Sequence, residues 1–370
     1  MNILHVSAVK SWGGGENHIE QLCKELKLQD IGITNTVLCI KGGIFEKKLK
    51  TTNIDHVSVR LGFKMDPRFF LKLISLCKKR KIDLLHIHDS TALTLCIMGD
   101  HLYDLPPFIF SKKTTFPIRE RKQTLYKYNY PKIKKILCVS LATKFITEGS
   151  IDHPEKLECI YHGTSLNDKK IKSTRDLREE LELEEDVKII GNIANHIWPK
   201  DLQTFILTAN ELIKNRGHKD FHFIQIGCFT SLTPQLVALV KKLDLEKYVS
   251  FLNTIPHASQ LIPQFDISLM TSESEGIPQF IYESFYYNTP VVSTDVGGIS
   301  EIIKHNKNGL LSKAHDYQDL ATQILSLQNN VERQKDFTCL SKQKLHENYT
   351  TKIMAAKTLA IYKDISNGRF

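Results

Sequence analysis

Short β-rich apolar runs recur along this chain, separated by longer amphipathic stretches, and that alternation limits the fold more than any other feature. NILHVS, NTVLCI, LLHIH, PFIFS and ILCVS are spaced by helix-period segments at 17–28, 67–79 and 92–98. Strands joined by ten or more residues of helical pattern pair in parallel through right-handed crossovers. A second series repeats the rhythm: VKIIGNI, FHFIQIG, YVSFL, DISLM and PVVST, with helices expected near 201–215, 233–243, 279–287 and 298–305. Between the two lies HGTSLNDKKIKSTRDLREELELEED, polar and without a period-2 apolar run, which reads as a linker. A further helix is expected at 350–365. The expectation is therefore α/β: two Rossmann-like, doubly wound parallel-sheet domains facing a cleft. Their boundaries are drawn at 1–162 and 163–345, with 346–370 packing back on the first.

Composition agrees with two packed cores. The 370 residues are 41% hydrophobic and 25% charged, an ordinary globular balance for two domains' worth of chain. No apolar run reaches the roughly 18 to 20 residues needed to cross a bilayer, and the opening MNILHVSAVK has no basic leader. A cytoplasmic protein beginning at Met1 is expected. The eight cysteines never form CxxC and mostly sit in apolar runs, as Cys39 does in TVLCI and Cys138 in ILCVS. Buried, reduced thiols fit this, and no Cys or His pair has zinc-finger spacing.

The net charge of +9 is unevenly placed. Residues 111–135 hold nine Lys or Arg and one acid, interleaved with Phe116, Tyr126, Tyr128 and Tyr130. That mixture suits an anionic surface, and phospholipid headgroups are the expected partner, with attachment to the inner face of the membrane. A solvated basic helix face has the same composition.

In open parallel sheets ligands bind beyond the carboxyl ends of the strands, so the chemistry belongs just after each run. After DISLM comes TSESEGIPQFIYESFYYNTPVVSTDVGG. Glu275 lies in the loop, Pro278 is placed to open a helix, and Glu283 falls about a turn and a half inside it. Two carboxylates so spaced can hold two hydroxyl-bearing parts of one long ligand, while the free amides of Gly276, Ile277 and the turn to Gln279 face its anionic middle. A sugar nucleotide has that layout. Equally, Glu275 could cap the helix and Glu283 face solvent.

Three other segments stand at strand ends. Gly13, Gly14 and Gly15 follow the first strand and precede a helix expected near Asn17, so the loop can present amides to a phosphate or simply turn tightly. His88 ends LLHIH, with His86 on the same face and Asp89 next, either orienting it or capping the following helix. Ser140, Thr143 and Lys144 follow ILCVS.

The stretch ESEGIPQFIYESFYYNTPVVSTDVGGISEII resembles the signature of the retaining glycosyltransferases of family 4, which have the GT-B fold. Glu275, Gly276, Pro278, Glu283, Pro290, Gly297, Gly298 and Glu301 all stand where that pattern wants them. SWGGGE, DLLHIH, CVSLAT and CIYHGTS agree in order with other segments of the family, so the likeness covers nearly the whole chain. It implies that Glu275 touches the transferred sugar, Glu283 the ribose, and Gly14 and Gly15 a phosphate. It places His88 beside the sugar and acceptor. The family's basic pair maps onto Asn195 and Lys200 in GNIANHIWPKD, so the arginine is replaced by a neutral amide. Phosphate stabilisation would then rest on Lys200, backbone amides and His196 or another basic residue.

No DxD pair occurs, so no divalent ion and no other cofactor is expected at the diphosphate. The resemblance thus implies an enzyme that moves a sugar from a nucleotide donor to a glycan or lipid-linked acceptor with retention, in lipopolysaccharide or other surface polysaccharide synthesis. On that reading, 1–162 is the acceptor side and 163–345 binds the donor, with Glu275, Lys200 and His88 catalytic. Two alternatives remain open at this stage: an epimerase or phosphorylase of the same fold, and a non-catalytic partner that binds a nucleotide-sugar or nucleic acid. Nucleic acid is not the partner expected.

Overall fold

A computed structural model describes residues 1–166 and 173–368, so the segment 167–172 of the expected linker lies outside the described residues. The chain forms two compact units, Met1–Gly163 with Thr351 onward, and Thr164–Thr350. Each is built on a parallel sheet.

In the first unit the strands are β1 (Asn2–Val6), β2 (Thr34–Ile40), β3 (Asp55–Val59), β4 (Leu84–Ile87), β5 (Phe108–Lys112), β6 (Ile133–Cys138) and β7 (Leu157–Cys159). They lie in the order β3-β2-β1-β4-β5-β6-β7. The crossovers carry α1 (Gly14–Gln29), α2 (Ile44–Leu49), α3 (Pro67–Arg80), α4 (Ser90–Leu102), α5 (Lys122–Tyr128) and α6 (Leu141–Glu148). Local sequence sets the ends of α3: the Asp66 side chain accepts from the Arg68 amide, Pro67 opens the helix, and Lys81 closes it in the left-handed region. Alternate residues of β1 serve opposite faces, as the strand period requires. Leu4 and Val6 join a core with Phe69, Leu73, Leu93 and Cys96, whereas Ile3 packs with Leu22 and Leu26.

In the second unit the strands are β8 (Lys188–Ile193), β9 (Phe221–Ile226), β10 (Val249–Leu252), β11 (Ile267–Met270), β12 (Val291–Thr294) and β13 (Leu310–Ser312), ordered β10-β9-β8-β11-β12-β13. Its helices are α7 (Leu177–Glu180), α8 (Leu202–Asn210), α9 (Thr233–Lys242), α10 (Gln279–Tyr287), α11 (Ile299–Ile302), α12 (Tyr317–Gln328) and α13 (Val331–Asn348). The last helix, α14 (Thr351–Ser366), belongs to the first unit: Met354, Ala355, Leu359 and Tyr362 fill the core behind Ile3, Leu22 and Leu26. Burying that face removes apolar surface at about 25 cal/mol per Å².

In both sheets the strand order reverses beside the first strand, between β1 and β4 and between β8 and β11. Such a switch point is the usual ligand position in this architecture. No helix among the described residues is long and apolar enough to cross a membrane.

Candidate active site

The residues after β8 and β11 meet in the second unit. Trp198–Lys200 form one 3-10 turn, and Asp201, left-handed at φ 40, caps α8 by accepting from the Thr204 amide. The Thr271 hydroxyl donates to the carbonyls of Lys200 and Asp201, and the Glu273 amide donates to the Pro199 carbonyl at 2.9 Å, so the two loops are stitched together. This brings Lys200 Nζ to 2.5 Å from Glu275 Oε1, which also accepts from Ser272 Oγ at 2.8 Å. Both side chains are mostly buried. A paired, hydrogen-bonded ammonium and carboxylate at this depth is a strong local interaction, and removal of either partner leaves a costly charge.

Glycines hold the loop close to its neighbours. A Cβ on Gly297, which sits at φ +55, would lie 1.8 Å from the Glu275 carbonyl oxygen, and the Gly298 amide donates to the Gly276 carbonyl at 3.1 Å. Pro278 caps α10 without a side-chain hydrogen bond at that end. Glu283 is the fifth residue of α10 and half-buried. Burial pushes the Tyr287 phenol up to about 12, with the Glu283 charge adding to the shift.

Asn195 is exposed, and its Oδ1 accepts from the Cys228 amide at 3.1 Å. The approach is possible because Gly227 has no side chain: a Cβ there would meet the Ala194 carbonyl at 1.8 Å. His196 is not at the surface of this loop. It is fully buried between Thr233 Oγ1 at 2.9 Å and Gln225 Oε1 at 2.6 Å, and desolvation lowers its pKa. The phosphate role open to it from sequence is thereby lost to core packing. Beside the Lys200 loop, His315 Nδ1 lies 2.9 Å from Asp201 Oδ2, and Asp201, Glu273 and His315 bring three donor atoms within 4.8 Å of one another. No spacing in the sequence announces that trio, because its members come from three separate loops.

His88, Gly14 and Gly15 belong to the first unit. Helix α1 starts at Gly14 rather than near Asn17, making the two glycines its first turn instead of a free loop. Extended Gly13 precedes them and no side chain caps the helix. Lys113 Nζ donates to the Gly15 carbonyl at 3.0 Å, and burial lowers the Lys113 pKa to about 8. Asp89 does not orient His88: its carboxylate caps α4, accepting from Thr91, Ala92 and Ala8 amides. Ser140 likewise caps α6.

His88 instead stands in a histidine cluster. His5 Nδ1 is 3.1 Å from His88 Nε2, and His5 Nε2 is 3.1 Å from Asn35 Oδ1. His86 is held by the Tyr362 hydroxyl and Ser111 Oγ. His18 stacks on His162 with ring centroids 4.2 Å apart and meets His88 edge-on. Desolvation holds all five imidazoles below their ordinary pKa, His5 at about 4 and His162 at about 3. The registry of parallel β1 and β4, with His5 opposite His86, explains the clustering. Sequence reading reached His86 and His88 and missed His5, although His5 sits in NILHVS with the alternation of a sheet face.

The basic stretch does not form one cationic surface. Lys112 is buried and donates to the Thr114 and Phe116 carbonyls, Lys113 turns to Gly15, and Lys132 pairs with Asp100 at 2.9 Å and with Asp104. Tyr130 is buried and donates to Asp100 Oδ2, and Tyr128 packs on Phe110. Arg119, Arg121 and Lys122 are exposed, with Phe116 and Tyr126.

A family model for glycosyl transferases group 1 matches residues 173–343, and one for glycosyltransferase family 4 matches residues 12–168. The N-acetyl-alpha-D-glucosaminyl L-malate synthase of Bacillus anthracis is 20% identical over 303 residues, 80% of this chain and 78% of that protein. A UDP-Gal:alpha-D-GlcNAc-diphosphoundecaprenol alpha-1,3-galactosyltransferase of Escherichia coli is 22% identical over 262 residues, 68% of this chain and 67% of that protein. Among solved structures, Anabaena HepE in complex with UDP and glucose shares the fold with a TM-score of 0.85 at 17% identity, covering 98% of this chain and 100% of that one. With two glycosyltransferase models accounting for its two units, and the GT-B architecture common to its structural neighbours, the chain belongs to the group 1 glycosyltransferases.

Proposed function

We propose that the chain transfers a sugar from a nucleotide-sugar donor to a glycan or lipid-linked acceptor, with retention at the transferred carbon, in lipopolysaccharide or other cell-surface polysaccharide assembly. The observation that supports this most is the Lys200–Glu275 pair at the switch point of the second sheet. An incoming diphosphate competes with Glu275 for the ammonium. As Lys200 turns to the phosphate, the Glu275 carboxylate is released to accept from a sugar hydroxyl, so a single exchange prepares both ends of the reacting centre.

Glu283 accepts from the ribose diol, and the amides of Gly276, Ile277 and the α10 entrance, behind Pro278, face the pyrophosphate. Asn195 has its oxygen engaged by Cys228, which leaves its amide hydrogens for a phosphate oxygen in place of the missing arginine. On the first unit, Gly14 and Gly15 offer amides at the α1 terminus, and His88 serves a sugar or acceptor hydroxyl. The protein supplies charge stabilisation and positioning, with no carboxylate nucleophile and no metal. Attachment to an anionic membrane face would rest on Arg119, Arg121 and Lys122 with Phe116 and Tyr126.

The Escherichia coli relative is named for a UDP-galactose donor and a diphosphoundecaprenol-linked acceptor, and the Anabaena structure holds UDP and glucose. UDP-sugars are therefore the first donors to try. The protein, treated with EDTA, is incubated with UDP-glucose, UDP-galactose and UDP-N-acetylglucosamine, with and without a diphosphoundecaprenol-linked sugar. Acceptor-dependent release of UDP with an α-linked product supports the reading. Interconversion of the sugar without an acceptor identifies an epimerase, and the absence of both turnover and thermal stabilisation by any activated sugar ends the proposal.

A further inference from the structure

The contacts around His88 specify which of its nitrogens is available for chemistry. Asn35 Oδ1 can only accept, so the hydrogen between it and His5, 3.1 Å away, is carried by His5 Nε2. A neutral imidazole carries one hydrogen, and burial keeps His5 neutral at physiological pH. His5 Nδ1 is then a bare acceptor. Its neighbour at 3.1 Å is His88 Nε2, which must donate. His88 is 4% exposed, is held neutral by burial too, and has its hydrogen committed to His5. Its Nδ1 is left as a lone pair, and that atom is buried without a hydrogen-bond partner among the described residues. A buried acceptor with no donor costs free energy that a ligand hydroxyl would recover.

We propose that Asn35 and His5 form a hydrogen-bond chain that fixes His88 in its Nε2–H form, so that His88 Nδ1 accepts the hydrogen bond of a sugar or acceptor hydroxyl during transfer. This rests on the glycosyltransferase reading of His88 given above. His5 and Asn35 are positioning residues: they touch no substrate and act by deciding which face of one imidazole is basic. The stacked His18 and His162 likewise bury Nδ1 and Nε2, respectively, without hydrogen-bond partners among the described residues. Asp89, the sequence neighbour of His88, is excluded from the task by its capping bonds.

The full-length protein labelled with 15N-histidine would be examined by long-range imidazole correlation at neutral pH, with His88→Gln providing the assignment. The expected spectrum shows His88 protonated at Nε2 and bare at Nδ1. Asn35→Leu should mix the tautomers and lower kcat by about tenfold with donor KM little changed. His5→Phe should do the same more severely, and His5→Gln, whose amide oxygen can accept from His88, should recover most of the loss. The half-buried Asn35 keeps the test alive if His5→Phe does not fold. A wild-type His88 protonated at Nδ1, or a tautomer unmoved in Asn35→Leu, overturns the chain while leaving the reading of His88 intact. Undiminished turnover in His88→Gln overturns that reading and the inference together.

Discussion

Lys200 Nζ and Glu275 Oε1 are 2.5 Å apart although 75 positions separate them in the chain. Neither has room to act alone: the carboxylate is largely buried, and Ser272 supplies its other hydrogen bond. Lys200→Met and Glu275→Gln should each reduce kcat by roughly 10²- to 10³-fold, the loss typical when one preorganised charge-stabilising group is removed. Because a single exchange prepares both groups, the double variant should lose less than the two single losses combined. Initial rates at saturating donor decide this, and additive losses would mean that the two groups act independently.

Glu283 stands apart from that pair, on α10, and should affect binding rather than the chemical step. Glu283→Ala is expected to raise donor KM by about tenfold, one charge-assisted hydrogen bond's worth, with kcat within a few-fold of wild type. Calorimetry with UDP alone provides a second reading. Equal affinity in the variant would remove the ribose assignment.

Gly297 makes the Glu275 loop possible. Gly297→Ala combines a left-handed φ of +55 with a Cβ that would fall 1.8 Å from the Glu275 carbonyl oxygen, a backbone atom that cannot turn aside. The variant should be less stable by about 2 kcal/mol or more and should lose donor binding through displacement of the loop. Gly14→Ala is the control, since a Cβ there meets nothing within 4 Å. Urea unfolding of the two variants separates close packing from mere glycine content.

The strands of both sheets were legible because fully buried parallel strands are continuous apolar runs, and all ten such runs became strands. β3, β7 and β13 escaped notice: β7 and β13 span only three residues, and Asp55 and Glu158 interrupt the apolar pattern of β3 and β7. α10 was readable to the residue, since Pro278 and the left-handed Asn288 bracket it. The segment at 298–305 is helical only over Ile299–Ile302. The carboxylates of the candidate site could be found from a local motif. The partners that hold them could not, because Lys200 with Glu275, His5 with His88, and Asp201 with His315 are products of strand order. Composition misled at residues 111–135, where a count of cations says nothing about which ammonium groups the fold turns inward.

That distinction predicts how membrane attachment would depend on sequence. If an anionic leaflet is bound, the exposed Arg119, Arg121 and Lys122 carry it, each contributing about 1 kcal/mol near the surface. Replacing all three by Ala should weaken binding to phosphatidylserine-containing vesicles by roughly two decades. Lys132→Ala, which removes a cation already paired with Asp100, should leave it nearly unchanged. Flotation in low and high salt measures both, and equal losses in the two variants would contradict the assignment.

Stability should fall on mild acidification because of the histidine cluster. In the unfolded chain these imidazoles take up protons near pH 6.5, whereas burial lowers His5 to about 4 and His162 to about 3 in the folded protein. Between those values the unfolded state binds more protons, so the free energy of unfolding rises with pH and is fully restored only above about pH 7. One pKa unit is worth about 1.4 kcal/mol, so His5 alone accounts for about 3 kcal/mol of loss by pH 4. His18, His86 and His88 are displaced in the same direction, again chiefly by desolvation. Urea midpoints at pH 7.5, 6 and 5 should therefore drop steadily. His5→Gln, which keeps an acceptor for His88 but cannot be protonated, should flatten the slope in proportion to one imidazole, and a slope unchanged in that variant would locate the proton uptake elsewhere.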